Sequence, residues 1–285
     1  MKSVRICVAA ITAGVVCIAV MIGILSAAIY AENESGNSFI GLMYHQVLKD
    51  ESRAGKYIIT PNELESDLAY LSENGYVSVL PSQLVKIREQ GGRLPEKTVV
   101  ITFDDGYETG LYYVLPLLKK YGMKAVINVV GSYTDEYSEN GGEGEHLSYS
   151  YLTWNEIKTL SDSGYVEIGN HTYDMHSYNG ERNGCARKEN ESDEQYRTVL
   201  YEDVARLSDK LQQVTGKRPV AFAYPFGSLS EGSAEIIGSA GISVFLTCCE
   251  QPCSMNRNGR IVINRYNRES GRTAQQICEE FKNAF

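Results

Sequence analysis

The chain has 285 residues, 43% apolar and 22% charged, with 27 Lys+Arg against 36 Asp+Glu for a formal charge of −9. That length suits one large α/β domain, and the composition excludes wholesale disorder, a collagen-like repeat and a disulfide miniprotein. No basic run offsets the excess of acid, which argues against nucleic acid as a partner, because neutralising phosphates needs clustered Lys and Arg.

The first predicted element is a membrane helix. Lys2 and Arg5 precede an uncharged stretch over residues 6–31. As a helix it would reach roughly 39 Å, beyond the ~30 Å hydrocarbon core. Signal-peptide apolar regions are only about 7–15 residues long, so 1–31 reads as an uncleaved anchor; cleavage near Ala28, giving a secreted chain, is the alternative. Positive residues before the span, with Glu32 and Glu34 after it, put the amino terminus in the cytosol and the rest outside a single-pass cell membrane. Without Lys2 and Arg5 the exported part keeps 25 positive and 36 negative side chains, a charge of −11. Residues 32–38 read as a polar linker and 39–285 as the folded domain.

Beyond the linker, apolar runs alternate with helical patterns. Strands are predicted at 38–44, 77–80, 98–103, 124–130, 166–170, 219–224, 242–247 and 261–265. Helices are predicted at 60–74, from Pro81, and at 109–121, 154–163, 191–215, 231–239 and from Thr273. The Thr60-Pro61 start, with Glu63 three residues on, is a capping-box signal. Strands alternating with helices imply a parallel sheet covered by helices, here a deformed (β/α) barrel of about seven parallel strands. In such barrels chemistry sits at the carboxyl ends of the strands. Segments 131–150 and 177–194 lack either period and read as loops able to shape a substrate groove. Of 7 cysteines, Cys7 and Cys17 fall in the anchor, and Cys185, Cys248, Cys249, Cys253 and Cys278 face a compartment where disulfides form. Cys248-Cys249 and Cys253 have no second pair at zinc-ribbon spacing, so they read as thiols or disulfide partners.

Four motifs end predicted strands. In Thr102-Phe103-Asp104-Asp105-Gly106 two carboxylates precede a glycine that permits a sharp turn. In His171-Thr172-Tyr173-Asp174-Met175-His176 two of the chain's 4 histidines stand five apart. On a helix that spacing separates them by about 140°, so they can share an ion only if the chain turns between them. Two imidazoles and a carboxylate make a divalent-metal site with room for water and substrate. Phe222-Ala223-Tyr224-Pro225-Phe226-Gly227 is a turn signal by itself, and Tyr44-His45 ends the first strand. Each motif alone also fits a polar strand end, a helix cap or a structural histidine.

Together the motifs resemble the polysaccharide deacetylases, carbohydrate esterase family 4 with its NodB-homology domain, over about residues 40–268. The five-residue histidine spacing, Tyr44-His45-Gln46-Val47 and the Phe222–Gly227 motif resemble the branch acting on exported poly-N-acetylglucosamine. The resemblance implies that Asp105, His171 and His176 hold a divalent ion, Zn2+ foremost and Co2+, Ni2+, Mn2+ or Fe2+ as alternatives. It further implies Asp104 as the general base toward water, His45 as the proton donor to the departing amine, and the Phe226 N–H as an oxyanion donor with Tyr224 and Pro225 beside the substrate. In most of the family the proton donor belongs to a Leu-x-Leu-His motif near the carboxyl end; here no histidine follows His176. Much of the family also carries an arginine where this chain has Ala223. Arg265 or Arg218 can supply that charge, and Arg265, at the carboxyl end of strand 261–265, is the preferred partner for Asp104.

The chemistry agrees with these roles. Amide hydrolysis needs an activated water, a stabilised oxyanion and a protonated leaving nitrogen. The resulting reading is an extracytoplasmic, metal-dependent hydrolase removing acetyl groups from N-acetylglucosamine units of a polysaccharide. Exported poly-N-acetylglucosamine is preferred, then peptidoglycan, then an O-acetylated glycan. Tyr133, Tyr137, Tyr149 and Tyr151 are candidates to stack on sugar faces. The rival reading is a non-catalytic glycan-binding module on the same barrel, favoured by Ala223 and the displaced acid and opposed by the intact Asp104, Asp105, His171 and His176.

Overall fold

Residues 37–140, 147–178, 182–256 and 259–284 are described by the structure, a computed structural model. The expected anchor and nearly all of the linker lie outside the described residues; among those described, no helix is long and apolar enough to cross a membrane.

The strands, in chain order, are β1 (Ser38–Tyr44), β2 (Gln46–Val47), β3 (Ile58–Ile59), β4 (Val77–Ser78), β5 (Thr98–Phe103) and β6 (Ala125–Val129). They continue as β7 (Val166–Asn170), β8 (Ala221–Ala223), β9 (Val244–Leu246), β10 (Cys253–Ser254), β11 (Ile261–Ile263) and β12 (Arg265–Asn267). The helices are α1 (Pro61–Glu73), α2 (Pro81–Glu89), α3 (Leu115–Tyr121), α4 (Gly131–Asn140), α5 (Trp154–Asp162), α6 (Asp193–Thr215), α7 (Ser233–Ser239) and α8 (Ala274–Asn283). The expected capping box opens α1: Glu63 N–H donates to the Thr60 hydroxyl, and the Thr60 N–H donates to the Glu63 carboxylate.

β1, β5, β6, β7, β8 and β9 lie side by side in parallel, and β11 pairs with β9. Asn264 alone separates β11 from β12, which pairs in parallel with β1 at the opposite edge. One short run therefore bonds to β9 with its first half and to β1 with its second, giving the barrel-like parallel sheet expected from the alternating pattern. The predicted strand 261–265 is thus two half-strands, because one straight segment cannot pair with both edges. Arg265 opens the second half and does not end the first.

Strand side chains alternate between faces, and the burial follows that rule. Val99, Ile101 and Phe103 of β5 point outward and pack with Leu64, Leu68 and Leu71 of α1 and Leu118 of α3. Val100 points inward and packs with Val126, Ala221, Ala223, Val244, Leu246, Ile261 and Ile263 in a separate interior cluster. Extending the inward set by twos reaches Thr102 on β5 and Asp104 after it, Asn128 on β6, His171 after β7, His45 after β1 and Arg265 on β12. The barrel interior is apolar at one end and carries these polar groups at the carboxyl ends of its strands.

The segment 131–150 is a loop only in part. Residues 131–140 form α4, and 141–146 lie outside the described residues. The helix is polar on its outer side, which hides the apolar period. Its signal is the spacing of Tyr133 and Tyr137, four apart on one face, both against the Tyr151 ring at 4.6 and 5.5 Å between centroids. Within 177–194, residues 179–181 are outside the described set, and Ser192 caps α6 through the Gln195 N–H, so the helix begins at Asp193, two residues later than expected.

Candidate metal centre

Asp104 is 3% exposed and Arg265 0%, and the two form an ion pair with Nη1 2.8 Å from Oδ1. The same guanidinium donates to the Thr102 hydroxyl at 3.0 Å and the Thr247 carbonyl at 2.9 Å. Asn128 Nδ2 donates to Asp104 Oδ1 at 2.7 Å. Burial pushes the Asp104 carboxyl up, but Arg265 and His171 more than offset this and hold it at about 2. The expected pairing is present, although Arg265 reaches Asp104 through the barrel interior from the start of β12 and not from a strand's carboxyl end. Arg218, the alternative, is spent elsewhere, on Asp209 at 2.5 Å and the Ala240 carbonyl.

Strict alternation would turn Asp105 to the outer face. Instead it takes a left-handed backbone, φ 70°, and faces the same cavity as Asp104. Thr172 (φ 74°) and Phe226 (φ 58°) share this uncommon conformation. Among the described residues these are the only non-glycine positions with positive φ, and all three border the site. Such strain costs on the order of 1–3 kcal/mol per residue and persists only where surrounding structure enforces it.

His171 Nε2 lies 3.4 Å and His176 Nε2 3.1 Å from Asp105 Oδ1, and one ligand atom from each of the three residues falls within 4.8 Å of the others. His171 Nδ1 donates to the Ala223 carbonyl at 2.8 Å, which assigns the proton to Nδ1 and leaves the Nε2 lone pair free. His176 is held from α4, where the Tyr133 hydroxyl donates to its carbonyl at 2.9 Å. Burial alone would push the His171 imidazole down, yet Asp105 and Asp104 overcome it and raise it. The field that draws a proton to His171 equally favours a dication. Donor type, convergence and field therefore fit a divalent metal ion.

These groups line a cavity of about 500 Å³ with His45, Tyr57, Phe226 and Cys248. His45 sits against the Tyr57 ring, 4.7 Å between centroids; its Nδ1 is buried without a hydrogen-bond partner among the described residues. Burial lowers its pKa, opposed by Asp105 and Asp104. Phe226 is 53% exposed and lies 4.7 Å from the His176 ring.

The model of the polysaccharide deacetylase family matches residues 91–245, more than half of the chain. The chain belongs to the polysaccharide deacetylase family. The poly-beta-1,6-N-acetyl-D-glucosamine N-deacetylase of Escherichia coli K12 is 27% identical over 230 residues, 74% of this chain and 34% of that protein. The chain thus spans about a third of that relative's length. Among solved structures, a de-N-acetylase from Aggregatibacter actinomycetemcomitans matches with TM-score 0.72 at 25% identity, over 85% of this chain and 99% of that one. IcaB from Ammonifex degensii matches with TM-score 0.67 at 26% identity, over 86% and 97%.

Not every expected site residue of this chain turns its side chain fully into the cavity. Tyr224 borders the cavity, while its ring packs in an outer cluster, 5.1 Å from Phe222 and 6.3 Å from Phe245. Pro225 is buried. Tyr133 packs tilted and Tyr137 edge-on against Tyr151, which stacks 4.9 Å from Tyr107, and Tyr149, 67% exposed, carries the Arg53 guanidinium over its ring at 4.8 Å. Cys185, Cys248, Cys249, Cys253 and Cys278 are all free thiols.

Asn128 was not singled out in the sequence. A lone amide in the middle of the apolar run 125–129 was its signal. It also explains Gly169, directly opposite in register: a Cβ there would stand 2.0 Å from Asn128 Oδ1. Gly169→Ala should displace the amide from Asp104, costing about 1–3 kcal/mol of stability and slowing turnover; wild-type melting and rate together would refute this packing argument.

Proposed function

We propose that this chain is a divalent-cation-dependent hydrolase that removes acetyl groups from N-acetylglucosamine units of a polysaccharide outside the cytoplasmic membrane. The observation that carries the reading is the meeting of Asp105, His171 and His176 around one point, with ionised Asp104 and His45 lining the same cavity. A cation held by those three residues, Zn2+ by preference, would acidify a water molecule and polarise the acetyl oxygen.

The chain's own groups supply the remaining steps. Asp104, kept charged by Arg265, accepts a proton as water oxygen bonds to the acetyl carbon. The Phe226 N–H, in a turn where Phe226 and Gly227 both take a left-handed backbone, is the oxyanion donor. His45 delivers a proton to the amide nitrogen as the C–N bond breaks, leaving acetate and a free amine. Burial of the His45 ring opposes its protonation, and the two carboxylates nearby counter that. Poly-N-acetylglucosamine is the preferred substrate, supported by the names of the relatives; the exterior location is supported by the uncharged stretch 6–31 with Lys2 and Arg5 ahead of it.

The test is acetate and amine release from poly-N-acetylglucosamine, peptidoglycan and O-acetylated glycans, with and without chelator and with Asp104→Asn as control. Chelator-sensitive release from the first, absent in Asp104→Asn, is expected. Glycan binding with no acetate released from any of them would instead mark a binding module.

A further inference from the structure

A five-residue separation of His171 and His176 works only if the backbone between them is held in one non-helical path. The hydrogen bonds of that path are almost all supplied from outside it. The Thr172 N–H donates to Asn170 Oδ1 at 2.8 Å, and the Met175 N–H to the Thr172 hydroxyl at 3.2 Å. The two N–H groups at the apex, Tyr173 and Asp174, donate to Oδ1 and Oδ2 of Asp203 at 2.7 and 2.8 Å. Asp203 stands on α6, and α6 also holds Asn170: its Nδ2 donates to the Val204 carbonyl at 2.9 Å and the Ser208 hydroxyl at 3.0 Å. On the other side the carbonyls of Thr172 and Tyr173 accept from the N–H groups of Gly131 and Ser132, at the start of α4.

We propose that Asp203 is a positioning residue for the cation site: its carboxylate clamps the turn that sets the two imidazoles on a common centre. The inference rests on the reading of Asp105, His171 and His176 as cation ligands. Only a carboxylate offers two acceptor oxygens to two successive N–H groups. An asparagine would accept one and press an NH2 against the other, so the turn would loosen without any change of size. Loosening moves the ligands relative to each other, and groups that orient ligands from outside typically account for about 10–100-fold in metal affinity.

The experiment compares the full-length wild type, Asp203→Asn, Asp203→Glu, His171→Ala and, as a control on the same helix, Asp209→Asn. Asp209 is exposed and pairs with Arg218. Zn2+ affinity is measured by competition with a chromophoric chelator, and melting is followed with and without Zn2+. Asp203→Asn should bind Zn2+ about 10–100-fold more weakly, and the rise in melting temperature on adding Zn2+ should shrink accordingly. Asp203→Glu, which keeps both acceptors, should fall between it and the wild type, and Asp209→Asn should match the wild type.

A folded Asp203→Asn that binds Zn2+ as tightly as the wild type overturns the proposal while leaving the cation site intact. Equal losses of melting temperature with and without Zn2+, or two Asp203 variants that both fail to fold, assign Asp203 to folding alone and overturn it too. A wild type that binds Zn2+ no better than His171→Ala removes the cation reading and this inference with it.

Discussion

Arg265→Met should lower the stability of the domain by about 3–5 kcal/mol, the usual cost of stripping one partner from a buried ion pair. For a domain of this size that is a fall in melting temperature of roughly 6–20 °C. Arg265 is wholly buried and Asp104 nearly so, so no solvent relieves the carboxylate left behind. Replacing both partners, as Asp104→Asn with Arg265→Met, should recover much of the loss, because neither charge is then stranded. Turnover should fall together with stability, by roughly 10²–10⁴-fold, the usual worth of a general base. Without the guanidinium, burial pushes the Asp104 carboxyl up, so more of it is protonated and unable to accept.

The pH dependence in metal-free protein follows with a definite sign. The folded carboxyl is depressed to about 2 from an ordinary 3.8. Its contribution is therefore present above pH 3.8 and lost as pH falls toward 2, and at neutral pH it amounts to roughly 2–3 kcal/mol. The gap between wild type and Arg265→Met should be widest at neutral pH and narrow on acidification. A gap that stays constant from pH 7 to pH 3, or a variant melting within about 1 kcal/mol of the wild type, would show that the pair does not hold the base.

Chelation should reduce acetate release by the wild type to background, and added Zn2+ should restore it. His171→Ala should stay at background with Zn2+ present. Among the described residues Asp105, His171 and His176 form the one group of such side chains placed to hold a cation, so no neighbouring cluster substitutes for the missing imidazole. The substitution also strands the Ala223 carbonyl that His171 Nδ1 engages. A modest stability loss is therefore expected, and folding must be checked by melting before activity is compared. Full activity after exhaustive chelation, or Zn2+-restored activity in His171→Ala, would end the cation-dependent reading.

Much of this site was legible as a consequence of period two. Once 98–103 and 166–170 are read as strands, alternation carries Val100 to Asp104 and Gly169 to His171 on one face, so the inward residues can be named from the chain. Asn128 was equally accessible by that count. Yet one amide in an apolar strand reads equally well as an ordinary buried polar group. Tyr224 follows the same rule in reverse: two residues from Phe222, its ring packs in the outer cluster while the residue still borders the cavity. The helix α4 escaped because its face packs on tyrosines, which a hydropathy period hardly registers.

The local sequence by itself determined most of the strands, most of the helices that cover them, and the short motifs that bear the carboxylates and imidazoles, because those follow from periodicity and capping within a few residues. Tertiary structure alone decided three things. It broke 261–267 at Asn264 so that one run joins both sheet edges, and that break sends Arg265 inward to Asp104. It bent Asp105 back against alternation through a left-handed backbone. It also brought Asp203 of α6 to the turn between His171 and His176. Each of these depends on where a distant strand or helix lies in space, and no pattern within the motif itself encodes that position.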